Sequence, residues 1–255
     1  MNREQFELSA EIEGTHWWYV GRRNIVEGLV RYLIPAHAGG MLLDIGCGTG
    51  GNIGQFVGDY TCVGIDVSPD AIGLARTLHP AVQFICTEDV LTSARELSSN
   101  TKMFLLLDVL EHIGNDEEFL NKLMECMESN SYLLFTVPAD MALWSPHDVN
   151  HGHYRRYEYE PLMKCLSSLP LRIMLISHFN TILYPCVKSV RLVTSIRGKP
   201  WGAAGTDLSQ PPWMFNYLLT KVFSTELRFL LMHLKNGRNR GWRRGVSLLG
   251  IVQRI

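Results

Sequence analysis

Two acidic residues that follow apolar runs, with glycines after the first, form the pattern in this chain best suited to ligand binding. An apolar run around Asp44 leads into Gly46 and Gly48, and a second apolar run ends in Asp66. Glycines let the backbone approach a ligand where a Cβ would clash, and an acid after the second strand can bind a ribose diol. The spacing therefore indicates a nucleoside-binding site.

Two classes of cofactor use this arrangement, the dinucleotides and S-adenosylmethionine (SAM). Gly46, Gly48 and Gly51 fit the G-x-G-x-x-G spacing of dinucleotide sites. A dinucleotide would bring its pyrophosphate to the loop, where the carboxylate of Asp44 would repel it. SAM carries an ammonium and a sulfonium and has no phosphate, so an acid at this position favours it. Asp44 thus favours SAM, and an NAD-dependent enzyme of similar fold is the alternative.

The elements that must position these residues alternate along the chain. Strands are predicted at 41–45, 60–65, 82–86, 103–107, 131–137, 171–178 and 246–252. Helices are predicted at 3–12, 22–34, 51–57, 69–77, 116–128 and 158–168. Strands rich in Val, Ile and Leu that alternate with helices predict an α/β fold, a doubly wound, mostly parallel, seven-stranded sheet. We expect N-terminal helices before the sheet and a helical insert between its last two strands.

Composition limits the class of protein. With 46% hydrophobic and 19% charged residues, the chain is expected to be an ordered globular protein. It has no apolar run of eighteen residues, and its N-terminus is polar and acidic, so we expect neither a spanning helix nor a signal peptide. The six cysteines include no C-x-x-C pair, which is typical of reduced, buried thiols. These features together predict a cytoplasmic protein.

Charge is distributed unevenly between the body and the last third of the chain. From Thr181 onward the sequence contains 12 of the 24 Lys and Arg residues but only two acids, Asp207 and Glu226, of the 25. This basic region either pairs with the acidic body or receives an anionic substrate or surface. We therefore divide the chain into a helical lid (1–38), a SAM-binding core (39–180), a basic helical insert for the substrate (181–244) and a final core strand (245–255).

The sequences at successive strand ends resemble those of the class I SAM-dependent methyltransferases, over residues 15–180 and the last strand. Residues 44–50 resemble the first motif of that family, and Asp66 resembles its ribose-binding acid. The segment 88–90 resembles a turn near the adenine amino group, and Asp108 follows the fourth strand, near the methionine end of the cofactor. Residues 17–23 resemble an N-terminal element whose aromatic rings pack over the cofactor and whose arginine meets its carboxylate.

The resemblance implies a Rossmann-like methyltransferase fold, SAM as cofactor and a set of cofactor contacts. The implied contacts are Tyr19, Arg22, Asp44, Gly46, Cys47, Gly48, Asp66, Val67, Asp89, Val90, Asp108, Val109 and His112. Two of them have a structural alternative. Asp89 could cap the turn after its strand, and His112 could be packed beneath the start of a helix.

A polar run rich in histidine, residues 144–157, follows the fifth predicted strand, where open α/β sheets bind substrates. His147 or His153 could remove a proton from a hydroxyl as the methyl group is transferred, and His151 is a further possibility. Arg155 and Tyr157 complete the catalytic candidates.

The same run has two other interpretations. Arg155 and Arg156 could pair with Asp148 or with acids of the body and so fix the loop over the pocket. Three histidines and an aspartate could also suggest a metal, but their spacing gives no single helical face, so we predict no metal site.

The acceptor expected from these features is a small, partly apolar, anionic metabolite or peptide of natural-product type, methylated on an oxygen. Arginines near the pocket suit an acidic group, and an apolar body suits the aromatic residues Trp144, Trp201, Trp213, Phe215 and Tyr217. Methylation of carbon or nitrogen, or of a lipid at a membrane surface, is the alternative. The acidic body argues against nucleic acid, and prolines and glycines that interrupt the basic region argue against membrane association. The oligomeric state stays open.

Overall fold

The computed structural model describes residues 3–199, 202, 206, 207 and 209–255. Trp201, one of the aromatic residues expected to contact the acceptor, lies outside the described residues. None of the helices in the described part of the chain combines the length and apolarity needed to cross a bilayer.

Seven strands form one sheet, as predicted. The strands are β1 (Met41–Ile45), β2 (Thr61–Asp66), β3 (Gln83–Cys86), β4 (Thr101–Leu107), β5 (Tyr132–Pro138), β6 (Leu171–Phe179) and β7 (Ser247–Arg254). Their order is β3-β2-β1-β4-β5-β7-β6, and the first five are parallel. The last strand, β7, lies between β5 and β6 and is antiparallel to both. The fold is therefore a doubly wound, mostly parallel sheet with one antiparallel hairpin.

Helices cover both faces of this sheet. They are α1 (Arg3–Ile12), α2 (Trp17–Leu33), α3 (Pro69–Leu78), α4 (Val90–Leu97), α5 (Asp116–Cys126), α6 (Pro146–Asn150), α7 (Tyr159–Ser167), α8 (Tyr184–Arg197), α9 (Trp213–Ser224) and α10 (Glu226–Lys235). Two groups of buried side chains form the core, one on each side of the sheet. All five residues of β1 are buried, which is the burial expected of a central parallel strand.

The structure differs from the predicted elements at the following places. The predicted helix at 51–57 is only a short 3-10 turn at Gly54–Phe56, because the glycines around it make a helix costly. The helix α4 was missed, although Asp89 accepts a hydrogen bond from the backbone of Thr92 and caps it. The aromatic segment does not precede α2 but begins it, since His16 caps the helix by accepting from the backbone of Trp18.

The insert between β6 and β7 contributes to the main core. Phe223 of α9 is fully buried and packs against Trp17 and Phe179, and α10 adds Leu230 and Leu234. The insert therefore does not form a core of its own.

The basic segment 237–244 lies against β6. Its Arg240 and Trp242 form isolated bridges with Ile176 and His178. The Trp242 ring stacks on Phe229 at 3.9 Å.

Close packing of α2 against α9 depends on a glycine. A Cβ built on Gly21 would stand 2.5 Å from the ring of Phe223, whereas a Cβ built on the helical Gly73 of α3 would meet nothing within 4 Å. We expect Gly21→Ala to lower the free energy of unfolding by about 1 kcal/mol or more, since overpacking costs about 1–3 kcal/mol. Gly73→Ala should raise it by up to about 1 kcal/mol through helix propensity alone. Urea unfolding of both variants measures the difference, and equal shifts would contradict the close packing.

Candidate functional site

One cavity of about 810 Å³ lies at the carboxyl edge of the sheet. Its walls come from the glycine loop after β1, from α1 and α2, from the turn after β4, from the histidine-rich loop and from α8. Parallel strands bring their carboxyl ends to one edge, so residues distant in the sequence meet there. The cavity joins the two regions that the sequence singled out, the glycine loop and the histidines.

The first two glycines of the loop are required for different reasons. Gly46 has a φ of 73°, and a Cβ there would stand 2.5 Å from a methyl group of Val109. Gly48 has a φ of 55°, and no atom lies within 4 Å of its Cβ position. Both backbone conformations favour glycine. Gly46 lets the loop pack against Val109, and Gly48, like Cys47, lines the open cavity.

Asp66 holds the glycine loop in place. Its carboxylate accepts hydrogen bonds from the backbone N–H of Gly48 at 2.8 Å and of Ser68 at 2.9 Å. This is a structural role that the sequence did not reveal. Each carboxylate oxygen has a second lone pair, so the same group can still accept from a ribose hydroxyl. The next residue, Val67, is exposed.

Asp44 is fully buried at the end of β1, and one of its oxygens has no hydrogen-bond partner among the described residues. Burial raises the pKa of this carboxyl to about 8, although the nearby Arg22 opposes the shift. A buried acid without a partner is costly unless a ligand supplies one. A cationic ligand group beside this carboxyl would favour its ionised form.

Arg22 and Asp108 form an ion pair across the cavity wall. Asp108 has a φ of 58° and also accepts from the hydroxyl of Thr136 at 3.1 Å, so its carboxylate is held firmly. The Arg22 guanidinium lies 4.5 Å from the centre of the Trp18 ring, and Tyr19 beside it pairs with Ser9 at 3.2 Å. The arginine expected to meet the cofactor carboxylate thus already has an acidic partner in this structure.

Asp89 and Val90 lie away from the cavity walls. Asp89 is exposed and accepts from both the backbone and the hydroxyl of Thr92, while Val90 is the first residue of α4. The capping role that was one of two interpretations of Asp89 is therefore present.

Four histidines gather on one side of the cavity: His112, His147, His151 and His153. The ring centres of His112 and His153 are 4.8 Å apart, and those of His147 and His151 are 4.1 Å apart. Burial lowers the pKa of His112 to about 4 and lowers those of His147 and His151 as well. These three imidazoles are therefore neutral near pH 7.

Hydrogen bonds distinguish the two catalytic candidates. His147 Nδ1 accepts from the backbone N–H of Asp207 at 3.0 Å, so the neutral ring carries its proton on Nε2 and can only donate there. His153 Nδ1 donates to the carboxylate of Asp148 at 3.1 Å, which leaves the lone pair on Nε2. The pair of Asp148 and His153 is thus the arrangement that suits a general base.

Arg155 and Tyr157 do not line the cavity, which corrects their place among the catalytic candidates. Arg155 donates to Asp116 at 2.5 Å, and the Tyr157 hydroxyl donates to the same carboxylate at 2.6 Å. Burial raises the pKa of Tyr157, and its hydrogen bond to Asp116 raises it further. The phenol therefore stays protonated. Both residues tie the histidine-rich loop to the start of α5.

Each arginine of the cavity wall within the described residues has a partner in the protein. Arg156 donates to Asp148 at 2.9 Å and to the carbonyl of Ala139. Arg191 of α8 pairs with Asp148 at 3.4 Å and with Asp207 at 2.9 Å. Arg22 binds Asp108, and Arg23 donates to the carbonyl of Glu13. The arginines that suggested an anionic acceptor are therefore already bound to acidic or carbonyl groups of the protein.

Sequence reasoning missed two buried polar side chains of the cavity wall, Glu111 and Asn180. In the described part of the chain, neither amide atom of Asn180 nor Glu111 Oε2 has a hydrogen-bond partner. Burial, reinforced by the nearby Asp108, raises the pKa of Glu111 well above its usual value, so it can donate a hydrogen bond. Asn180 has a φ of 53°, a strained conformation that is common at functional sites. Glu111 lies between two implied cofactor contacts, Asp108 and His112, so its position in the sequence could have pointed to it. No sequence signal pointed to Asn180.

Glu111, His112 and His153 are the one group of possible metal ligands found among the described residues. Their ligand atoms lie within 4.8 Å of one another. The absence of a metal at this group stays our prediction.

Comparison with known proteins gives one family match and several similar structures. Residues 17–173, more than half of the chain, match the model of a family described as a methyltransferase domain. A SAM-dependent methyltransferase from Archaeoglobus fulgidus is 17% identical, with a TM-score of 0.53 over 91% of this chain and 94% of that one. The plantazolicin methyltransferase BamL, crystallised with a triazolic desmethylPZN analog and SAH, is 16% identical, with a TM-score of 0.51 over 92% and 85%. The [4+2]-cyclase SpnF is 15% identical, with a TM-score of 0.53 over 91% and 80%.

The hydrogen bonds that Asp66 accepts, together with the ribose contact expected of it, lead to a prediction about SAM affinity. We expect Asp66→Ala to weaken SAM binding by about 1–3 kcal/mol, since it removes the support of Gly48 and a charge-assisted bond to ribose. Asp59→Ala, which removes a half-exposed carboxylate on the loop before β2, should leave the affinity unchanged. Isothermal titration calorimetry with SAM measures both, and an unchanged affinity for Asp66→Ala would refute the assignment.

Proposed function

The chain belongs to the methyltransferase-domain family and uses SAM as its methyl donor, and on this premise we propose that it methylates an oxygen atom of a small, partly apolar metabolite or peptide. The observation that carries the proposal is the pair of Asp148 and His153 in the cavity that also contains the glycine loop. A hydroxyl acceptor needs a base, and this pair offers one with its lone pair on the free ring nitrogen.

We propose that SAM binds along the glycine loop. The backbone at Gly46, Cys47 and Gly48 would lie against the cofactor, and Asp66 would accept from the ribose hydroxyls. The unpartnered oxygen of Asp44 would compensate the ammonium of the methionine end. The role proposed for Asp44 agrees with the sequence argument, in which this acid favoured SAM over a dinucleotide.

The aromatic residues Trp18 and Tyr19 border the same part of the cavity. Aromatic faces attract a sulfonium cation. Arg22 keeps its ion pair with Asp108 and presents the remaining edge of its guanidinium, whose Nε has no partner among the described residues, to the cofactor carboxylate. The same arginine can thereby position Asp108 and bind the cofactor.

The methyl transfer itself is an in-line displacement. The acceptor oxygen forms a bond to the methyl carbon as the carbon–sulfur bond breaks, and the bonding electron pair passes to the sulfonium sulfur of SAM. The hydroxyl proton passes to Nε2 of His153, and Asp148 stabilises the imidazolium that results. The protein contributes alignment and exclusion of water rather than covalent chemistry.

Two unsatisfied polar groups suit the orientation of an oxygen acceptor. Asn180 offers both a donor and an acceptor, and the protonated Glu111 offers a donor, close to His112 and His153. The cavity wall formed by Leu183, Val187 and Leu219 is apolar and suits the body of the acceptor.

The base assignment predicts unequal effects of two histidine variants. We expect His153→Gln to lower kcat by about 10²–10⁴-fold, the usual contribution of a general base. His147→Gln should lower kcat by less than about tenfold, because His147 donates rather than accepts at its free nitrogen. SAM affinity should stay within about twofold of the wild type for both. Single-turnover assays with radiolabelled SAM and calorimetry supply these values.

Two results would contradict the proposal. Full turnover in His153→Gln would show that the acceptor needs no base at this position, as a carboxylate or an electron-rich carbon would not. Loss of turnover after dialysis against a chelator, restored by a divalent metal, would show that Glu111, His112 and His153 hold an ion instead.

A further inference from the structure

The insert presents apolar side chains to solvent as well as to the core. On α8, Leu192, Val193 and Ile196 are exposed, with Ile196 at 78%. On α9, the exposed apolar residues are Trp213, Met214, Phe215, Tyr217 and Leu218, with Trp213 also at 78%. We call these eight residues the exposed apolar face. Contiguous exposed apolar surface on a folded protein marks an interaction site.

The spacing of these residues places them on continuous stripes of their helices. Met214, Tyr217 and Leu218 are three and four residues apart, and Leu192, Val193 and Ile196 show the same periodicity. Phe223, farther along α9, points the other way and is fully buried against α2 and β6. The helix α9 therefore has one apolar side for the core and a second one without a partner among the described residues.

The surroundings of the exposed apolar face are basic. Lys188 and Lys199 flank the α8 stripe, and Lys221 continues the α9 stripe one turn beyond Leu218. The Lys221 ammonium lies 5.3 Å from the centre of the Tyr217 ring. A surface that combines Trp, Tyr and aliphatic side chains with lysines fits the headgroup region of an anionic bilayer, where aromatic rings and cations are both favourable.

The exposed apolar face reaches the mouth of the cavity. Val190 and Val193 of α8 line the cavity and are also 46% and 43% exposed. Leu219 lines the cavity next to the exposed Leu218, and Pro211 lines it just before α9 begins. Apolar side chains of the insert therefore belong both to its exposed surface and to the wall of the cavity.

We propose that the exposed apolar face docks on an anionic phospholipid bilayer and brings the mouth of the cavity to the lipid headgroups. The surface argues for a membrane where the sequence argued against one. The sequence argument rested on prolines and glycines that interrupt the basic region, but α8 and α9 are each intact and each carries an apolar stripe. Docking involves peripheral insertion of side chains and does not depend on whether the acceptor is methylated on oxygen.

Co-sedimentation with vesicles tests this proposal. Wild-type protein should sediment with phosphatidylcholine/phosphatidylglycerol vesicles at low salt, and at least tenfold less with pure phosphatidylcholine or at high salt. The double variant Leu192→Glu/Leu218→Glu should bind the anionic vesicles at least tenfold more weakly. The matched control Leu78→Glu, at an exposed leucine of α3, should bind like the wild type. Calorimetry with SAM on each variant checks that the fold and the cofactor site are intact.

Three outcomes would overturn the proposal. The first is no binding to anionic vesicles at low salt, and the second is equal binding by the wild type and the double variant. The third is a wild-type dimer, seen by light scattering, that the double variant converts to a monomer while neither binds vesicles. That result would assign the face to a second copy of the chain. The His153→Gln variant should bind vesicles like the wild type, so failure of the proposed chemistry and failure of docking are distinguishable.

Discussion

The arrangement of the histidine-lined side of the cavity depends on one buried carboxylate, that of Asp148. It accepts from His153, Arg156, Arg191 and the backbone N–H of Ser145, and its side chain is fully buried. Burial alone would raise the pKa of Asp148, but these donors bring it to about 2, so the carboxylate stays ionised. Removing one partner would leave a buried charge uncompensated, which is far more costly than losing a surface ion pair. The histidine-rich loop, the strand end at Ala139 and the insert helix α8 are therefore held in one geometry.

On the side of the cavity formed by the glycine loop, acidic side chains also link separate elements, but each accepts fewer hydrogen bonds than Asp148. Asp66 joins β2 to the glycine loop after β1 through two backbone N–H groups, and Asp108 joins β4 to α2 through Arg22. Acids at strand ends thus link elements that are distant in the sequence. One oxygen of Asp44 has no such donor among the described residues, and burial raises the pKa of this carboxyl to about 8. Two networks of charge, one for each half of the cavity, meet near His112 and Glu111.

The insert links this chemistry to the surface of the protein. Its inner residues complete the core beside α2, and Arg191 completes the Asp148 network, so the insert cannot be treated as a detachable lid. Its outer residues are apolar and basic and extend to the cavity mouth.

The sequence by itself determined the sheet, the cofactor class and the glycine loop. These depend on local patterns, which are apolar strands of set length, glycines at positive φ and acids at strand ends, and local patterns are readable along the chain. The sequence-based prediction of a helix at 51–57 was wrong. The glycines in this segment destabilise a helix by more than its short apolar pattern stabilises one. Only the tertiary structure decided which polar residues face the cavity. Arg155 and Tyr157 follow His153 by two and four residues yet bind Asp116. Asn180 and Glu111 come from distant strand ends, and both carry side-chain atoms at the cavity wall that have no partner among the described residues. Partner choice among buried polar groups depends on distances between elements remote in sequence, and no spacing along the chain encodes those distances.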